Sequence, residues 1–168
     1  QYVDTTGTDT FALVTGQLTA VDPEGTTALI YGVSGGVTST LLPGYNLAGA
    51  GAYGTVYVNS SSGIYKYVPN DAAINALQSG MNPSEVFSLT VSDGMGGTAS
   101  QSLAINLTGA NDAPALAAPM TPPTYVDTSA ANSFSAVTGQ LIAHDPDIGA
   151  TLAYAIGGAV TASTLPGY

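Results

Sequence analysis

Apolar and polar residues alternate with a period of two over most of the first two thirds of the chain, the spacing of strands with one buried face. Val14, Gly16, Leu18 and Ala20 interleave with Thr15, Gln17 and Thr19, and the run ends in a turn at Asp22-Pro23-Glu24-Gly25. Leu29, Tyr31 and Val33 alternate next and stop at Gly35-Gly36. Val37 to Gly54 is glycine-rich and weakly patterned, which predicts an irregular excursion with one short strand. Thr55–Asn59 and Ile64–Val68 flank Ser60-Ser61-Ser62-Gly63, which predicts a hairpin with a four-residue loop. The alternation breaks at Asn70–Leu77. Asn70 or Asp71 can cap a helix, Ile74 and Leu77 share a face, and Gly80 supplies the stop, so one short helix is expected. Phe87, Leu89 and Val91, then Leu103, Ile105 and Leu107, mark two strands, Val86–Ser92 and Ser100–Leu107, around Asp93-Gly94-Met95-Gly96-Gly97.

Short strands, glycine turns and one helical turn predict an all-β protein, an antiparallel β-sandwich of the immunoglobulin-like class. The pattern then starts again. Tyr125-Val126-Asp127-Thr128 restates Tyr2-Val3-Asp4-Thr5, Val137-Thr138-Gly139-Gln140-Leu141 restates Val14-Thr15-Gly16-Gln17-Leu18, and Leu165-Pro166-Gly167-Tyr168 restates Leu42-Pro43-Gly44-Tyr45. The offset is 123 throughout, as Tyr125 stands to Tyr2, and about half of the overlapping positions are identical. This is the signature of tandem repeats. The expected organisation is a first repeat over 1–114, a proline-rich connector or first edge strand over 115–124, and the early part of a second repeat over 125–168. Prolines 114, 119, 122 and 123 make the connector extended and stiff. Residues 125–168 hold only early strands, so they are expected to pack with the remainder of a following repeat or with another copy, giving a filament.

Composition narrows the partners. Eleven acidic residues face a single base, Lys66, for a formal net charge of −10, which excludes nucleic acid because phosphate binding needs clustered Lys or Arg. There is no cysteine, hence neither disulfide nor thiolate metal site, and no apolar run long enough for a membrane span. Carboxylates without basic partners leave two readings, a solvated acidic surface or sites for a divalent cation.

Their spacing bears on the choice. Asp22 and Glu24 follow one strand as D-x-E, and Asp145 and Asp147 follow its second copy as D-x-D; two carboxylates one residue apart can point into one Ca²⁺ site. Asp93 ends a strand in V-S-D-G, and Asn111-Asp112 lie in the junction T-G-A-N-D-A-P, Thr108–Pro114. Ordinary turn chemistry accounts for the same residues, since Asp is common before Pro and Gly for backbone reasons.

In their order, Tyr2-Val3-Asp4-Thr5, Val14–Leu18, Tyr53–Val56, Gly63–Pro69, Ala73–Leu77, Phe87–Gly97 and Thr108–Pro114 resemble the cadherin repeat, and more closely the VCBS-type bacterial cadherin-like repeat of large secreted RTX-type adhesins. The resemblance covers essentially the whole repeat. It implies a secreted, cell-surface array whose junctions are stiffened by Ca²⁺. Carried over, the junction in this chain would use Asp4, Asn111, Asp112, Asp145 and Asp147, with Asp71 a further candidate, while Asp22, Glu24 and Asp93 would serve the preceding junction. Cadherins carry an acid just before their Asn-Asp pair, where this chain has Gly109.

No catalytic constellation competes. His144 is the only histidine, its first-copy counterpart is Val21, and no G-x-S-x-G elbow is present, so an enzyme is not expected. Lys66 could form an isopeptide bond with Asn or Asp, against the plainer reading of a solvated edge-strand lysine. Tyr31 is expected in the core, and the Asn59 and Asn106 sequons carry little information. The leading expectation is a structural adhesin repeat serving attachment and biofilm cohesion, with neighbouring repeats or copies of itself as partners. The alternative is a glycan-binding module using Tyr45 and Tyr53 in the Val37–Gly54 region.

Overall fold

In the first unit the alternating runs form strands whose apolar side faces a second sheet. The computed structural model describes residues 1–7, 9–25, 28–117, 124–155 and 157. It divides into two units, Gln1–Ala113 with Pro146–Ile148, and Pro114–Asp145 with Gly149–Tyr168. The first unit contains β1 (Tyr2–Val3), β2 (Val14–Gln17), β3 (Ile30–Val33), β4 (Val37–Thr38), β5 (Leu47–Ala50), β6 (Gly54–Val58), β7 (Ile64–Pro69), α1 (Asp71–Ile74), β8 (Ser84–Ser92) and β9 (Thr98–Thr108). The second contains β10 (Ala115–Leu116) and β11 (Ala143–His144).

The first unit is a two-sheet sandwich, one sheet ordered β1-β9-β8-β3 and the other β2-β7-β6-β5-β4. All pairings within it are antiparallel except β1 with β9, which is parallel and joins Tyr2 to Leu107 and Val3 to Thr108. Between the sheets lie Tyr31, Val33, Phe87, Leu89, Ile105 and Leu107 from one side and Val56, Val58 and Tyr67 from the other. Burying each such side chain stabilises the fold by about 1.5–3 kcal/mol. An aromatic column runs through this core: Phe11 meets Tyr2 edge-on at 5.4 Å, Tyr2 stacks on Tyr67 at 6.1 Å, and Tyr67 meets Phe87 at 5.8 Å.

The predicted hairpin forms between β6 and β7, with Val58 opposite Tyr65 and Asn59 N–H donating to the Ile64 carbonyl at 2.8 Å. The β8–β9 hairpin spans Ser84↔Asn106 to Ser92↔Thr98. Ile74 and Leu77 are buried as their spacing predicts, but the helix is a single turn. Asn70 caps its start by accepting from Ala73 N–H, and at its end the Asp71 carbonyl accepts both Asn75 N–H at 2.9 Å and the Asn75 side-chain Nδ2 at 2.7 Å. Val37–Gly54 holds two strands rather than one. Both are short; β5 pairs with β6 and β4 with β5, so they extend the sheet from β6 to its edge.

The second unit reproduces the opening of the first. Tyr125 meets Phe134 edge-on at 5.4 Å and its hydroxyl donates to the Ser135 carbonyl, as Tyr2 does with Phe11 and the Ala12 carbonyl. Val137–Leu141, expected to repeat β2, is not a strand. β2 is held by pairing with β7, and among the described residues Val137–Leu141 has no such strand beside it. Ala115–Leu116 forms β10, at the start of the segment expected as a connector or edge strand; Pro119, Pro122, Pro123 and Leu165–Tyr168 lie outside the described residues. Pro146–Ile148, assigned by sequence to the second repeat, belongs to the first unit, where Ile148 N–H donates to the Ala76 carbonyl at 3.0 Å.

Candidate functional site

Both ends of β9 collect acids. At its C-terminal end, Asp4 N–H donates to the Thr108 carbonyl at 2.9 Å, continuing the parallel β1 ladder and bringing the Asp4 side chain to the junction segment. Asp4 is 4%, Asp112 2% and Asp147 7% exposed. Ala110 N–H donates to Asp4 Oδ2 at 3.3 Å, and Asp112 N–H donates to Asp147 Oδ2 at 3.0 Å. Asp4 Oδ1 is buried and receives no hydrogen bond. Burial raises the Asp4 carboxyl above its ordinary range; the Ala110 N–H opposes this, while the charges of Asp112 and Asp9 add to it.

A carboxyl with a raised native value binds its proton more tightly folded than unfolded. Its contribution to stability is greatest below the unfolded value and is lost as pH rises through the raised native one. In chelator, the unfolding midpoint of the native chain relative to Asp4→Asn is therefore expected to fall as pH rises from 4 to 8. A constant difference across that series would show that Asp4 is not held in this environment.

At the other end of β9, Asp22, Glu24 and Asp93 line one cavity of about 210 Å³. Asp22 caps its own turn, accepting at Oδ1 from Glu24 N–H at 3.0 Å, and Asp93 Oδ1 accepts from Met95 and Gly97 N–H at 2.7 and 2.9 Å. The turn reading thus describes real bonds of these residues. The eleven residues of β9 separate the two acidic ends by about 33 Å.

Of the other predicted ligands, Asn111 is exposed and donates to the Asp112 carbonyl at 2.7 Å, and Asp145 is half-buried in the second unit. Asp71 accepts from Phe11 N–H at 3.1 Å, a role in holding the first loop. Among the described residues, no three His, Cys, Asp or Glu side chains stand in a metal-ligating arrangement. What Asp4, Asp112 and Asp147 offer a cation is donor chemistry: hard carboxylate oxygens in buried positions.

Sequence reading passed over Asp9 and Asn75. Asp9 N–H donates to Asn75 Oδ1 at 2.7 Å, Asn75 Nδ2 returns a bond to the Asp9 carbonyl, and Asp9 Oδ2 accepts from Thr5 N–H. The only signal for this pair was the polar Asn75 within an otherwise apolar helical face. Gly109, where cadherins carry an acid, has no room for one: a Cβ there would meet the Leu77 and Gln78 carbonyl oxygens at 2.5 Å.

Residues 1–106 match the family model of a bacterial Ig domain, over a region that holds nearly all of the sandwich. The chain belongs to the bacterial Ig domain family. No curated protein matches it. Bacterial Ig domains are structural, non-catalytic modules of surface proteins. Among the described residues of this one, no helix is long and apolar enough to cross a membrane.

Within the Ig domain, Lys66 lies on β7, between β2 and β6, so it is not an edge-strand lysine. Tyr45 packs edge-on against Tyr57 at 6.5 Å under the Lys66 ammonium, and Tyr53 packs against the core. Neither tyrosine is a bare stacking platform. His144 is exposed on β11.

Proposed function

We propose that this bacterial Ig domain is a VCBS-type, cadherin-like repeat of a large secreted adhesin or extracellular filament, stiffened by Ca²⁺ at the junctions between repeats. Its work is mechanical: an array of such units holds a binding region away from the cell and serves attachment and biofilm cohesion. The observation that carries this reading is the burial of Asp4, Asp112 and Asp147 together at the end of β9, with Asp4 Oδ1 lacking a donor.

Asp4, Asp112 and Asp147, with Asn111 beside them in sequence, would hold the ion at this end, and Asp22, Glu24 and Asp93 one at the other. Bound Ca²⁺ would supply positive charge and take the carboxylate oxygens as ligands. The chain's own residues supply the mechanics. Asp4 follows β1, Asp112 follows β9, and Asp147 lies in the Pro146–Ile148 segment, so neutralising their charges ties three separate stretches of the first unit to one point. Two ionic ends on one sandwich suit a repeat that meets a neighbour at each.

Ca²⁺ at about a hundredfold over its dissociation constant is expected to stabilise the native chain by about 2.7 kcal/mol, which is roughly 10 °C or more in midpoint for a domain of this size. The Asp4→Asn, Asp112→Asn double variant should lose most of that rise, and Mg²⁺ should not reproduce it because it dehydrates reluctantly. Thermal unfolding by circular dichroism in chelator, Ca²⁺ and Mg²⁺ measures this. Equal midpoints in chelator and Ca²⁺ would dismiss the ion and leave the acids as turn and cap residues.

A further inference from the structure

We propose that Pro146–Ile148 is a clasp that closes the β9 end of the Ig domain through hydrogen bonds of its own, without an ion.

Two stretches of the domain already meet at that end. Gly109 N–H donates to the Met81 carbonyl at 2.8 Å, and the space of a Gly109 Cβ is taken by the Leu77 and Gln78 carbonyl oxygens. Each stretch carries a backbone group that regular structure does not pair. Ala76 lies just past the single turn of α1, where carbonyls run out of helical donors, and Asp112 lies past the end of β9, where the ladder has stopped. The clasp supplies both partners. Ile148 N–H donates to the Ala76 carbonyl at 3.0 Å, and the Asp147 carboxylate accepts from Asp112 N–H at 3.0 Å. Asp112 and Asp147 are both buried, so releasing the clasp would leave a buried N–H without its acceptor.

The segment is shaped before it docks. Pro146 fixes its own φ directly ahead of Asp147, and Gly149, at φ 74°, turns the chain away after Ile148, so little backbone freedom is lost on binding. Chain connectivity presents it in place. Ala115 pairs with His144, and Asp112 and Asp147 stand three residues outside that pair on either strand. A three-residue clasp held this way acts at the high effective concentration of an intramolecular partner, where a free tripeptide would not stay bound. The Ig domain is thus discontinuous in sequence, Gln1–Ala113 and then Pro146–Ile148. Its stability answers to residues that the 123-residue period assigns to the next repeat, in chelator as well as in Ca²⁺.

The clasp needs neither calcium nor an array, so it is tested on the 168-residue chain in chelator, by amide hydrogen exchange read by NMR. Asp112 N–H is expected to be protected in the native chain. Asp147→Asn keeps an acceptor and loses the charge that an ion would need, so Asp112 should stay protected to within about twofold. Asp147→Ala loses both, and Asp112 should exchange about tenfold faster or more. Val56 and Tyr57, on a strand paired along both edges, should remain protected in the same sample, which shows the sheets intact. Ile148→Pro removes only the bond to Ala76, yet it should speed Asp112 exchange about fivefold, because the two bonds dock one segment. That variant decides the matter if Asp147→Ala loses its sheets. Free exchange of Asp112 in the native chain would show that the clasp needs the ion, and equal Asp112 exchange in the native and Ile148→Pro chains would show that the two bonds are not one clasp; either result overturns the proposal.

Discussion

Tyr67→Ala is expected to lower the unfolding free energy by about 4 kcal/mol, a large part of the 5–15 kcal/mol typical of such a domain. Tyr67 is fully buried in the middle of β7 and is the centre of the aromatic column, stacked on Tyr2 and packed on Phe87. Its ring also lies over Gly54 on the neighbouring strand, where a Cβ would come within 2.3 Å of Tyr67 Cζ. Alanine would therefore open a cavity against both sheets. It would also take the hydroxyl that donates to Glu85 Oε1 at 3.0 Å, leaving that carboxylate with Tyr53 N–H at 2.9 Å. Burial and the Glu85 charge raise the phenol far above its ordinary range, so it acts as a neutral donor at all working pH. Tyr67→Phe keeps the ring and separates the two losses: about 1 kcal/mol is expected for the hydrogen bond alone. Urea unfolding of the three proteins measures both. If Tyr67→Ala and Tyr67→Phe cost the same, the column contributes nothing beyond the hydroxyl.

Gly109→Asp is expected to cost about 4 kcal/mol or more, although it would restore the acid that cadherin junctions carry. The Cβ would press on two backbone oxygens, of Leu77 and Gln78, that cannot swing aside as a side-chain tip could. Gly109 N–H is itself bound to the Met81 carbonyl at 2.8 Å, which fixes the backbone in place. Overpacking of this kind costs about 1–3 kcal/mol, and burying another carboxylate near Asp4 adds the remainder. Gly109→Ala measures the steric share, expected at about 2–3 kcal/mol in the same urea titration. A stable, Ca²⁺-responsive Gly109→Asp protein would show that the Leu77–Gln78 turn yields, and the absence of an acid there would need another cause.

The two substitutions sit on different sides of what can be read from residues alone. Tyr67 lies with Tyr65 on the strand face opposite Lys66, so its inward orientation agrees with a local pattern. Gly109 carries no local mark, because the oxygens that exclude a side chain there come from more than thirty residues earlier in the chain.

The same division runs through the acidic sites. Asp22, Glu24 and Asp93 are visible as turn residues at strand ends, and Asp93 accepts bonds only from its own loop. That Asp22 and Asp93 share a cavity, and that Asp4 is bonded by Ala110 N–H and Asp147 by Asp112 N–H, depends on which segments become neighbours. Asp9 and Asn75 escaped notice for that reason, being joined only through loops 66 residues apart.

By itself the amino-acid order determined the number and place of most strands, the β6–β7 and β8–β9 hairpins, the capped helical turn, the apolar face of each element and the 123-residue repeat. These follow from near-neighbour physics: side-chain period, backbone preferences of Gly and Asn, and cap bonds a few residues long. Only the tertiary structure decided the parallel docking of β1 on β9, the burial of Asp4, Asp112 and Asp147, and the closed space at Gly109. Alternation states which face of a strand is buried and leaves open which strand lies beside it; that choice is made by the packing of the two sheets as a whole.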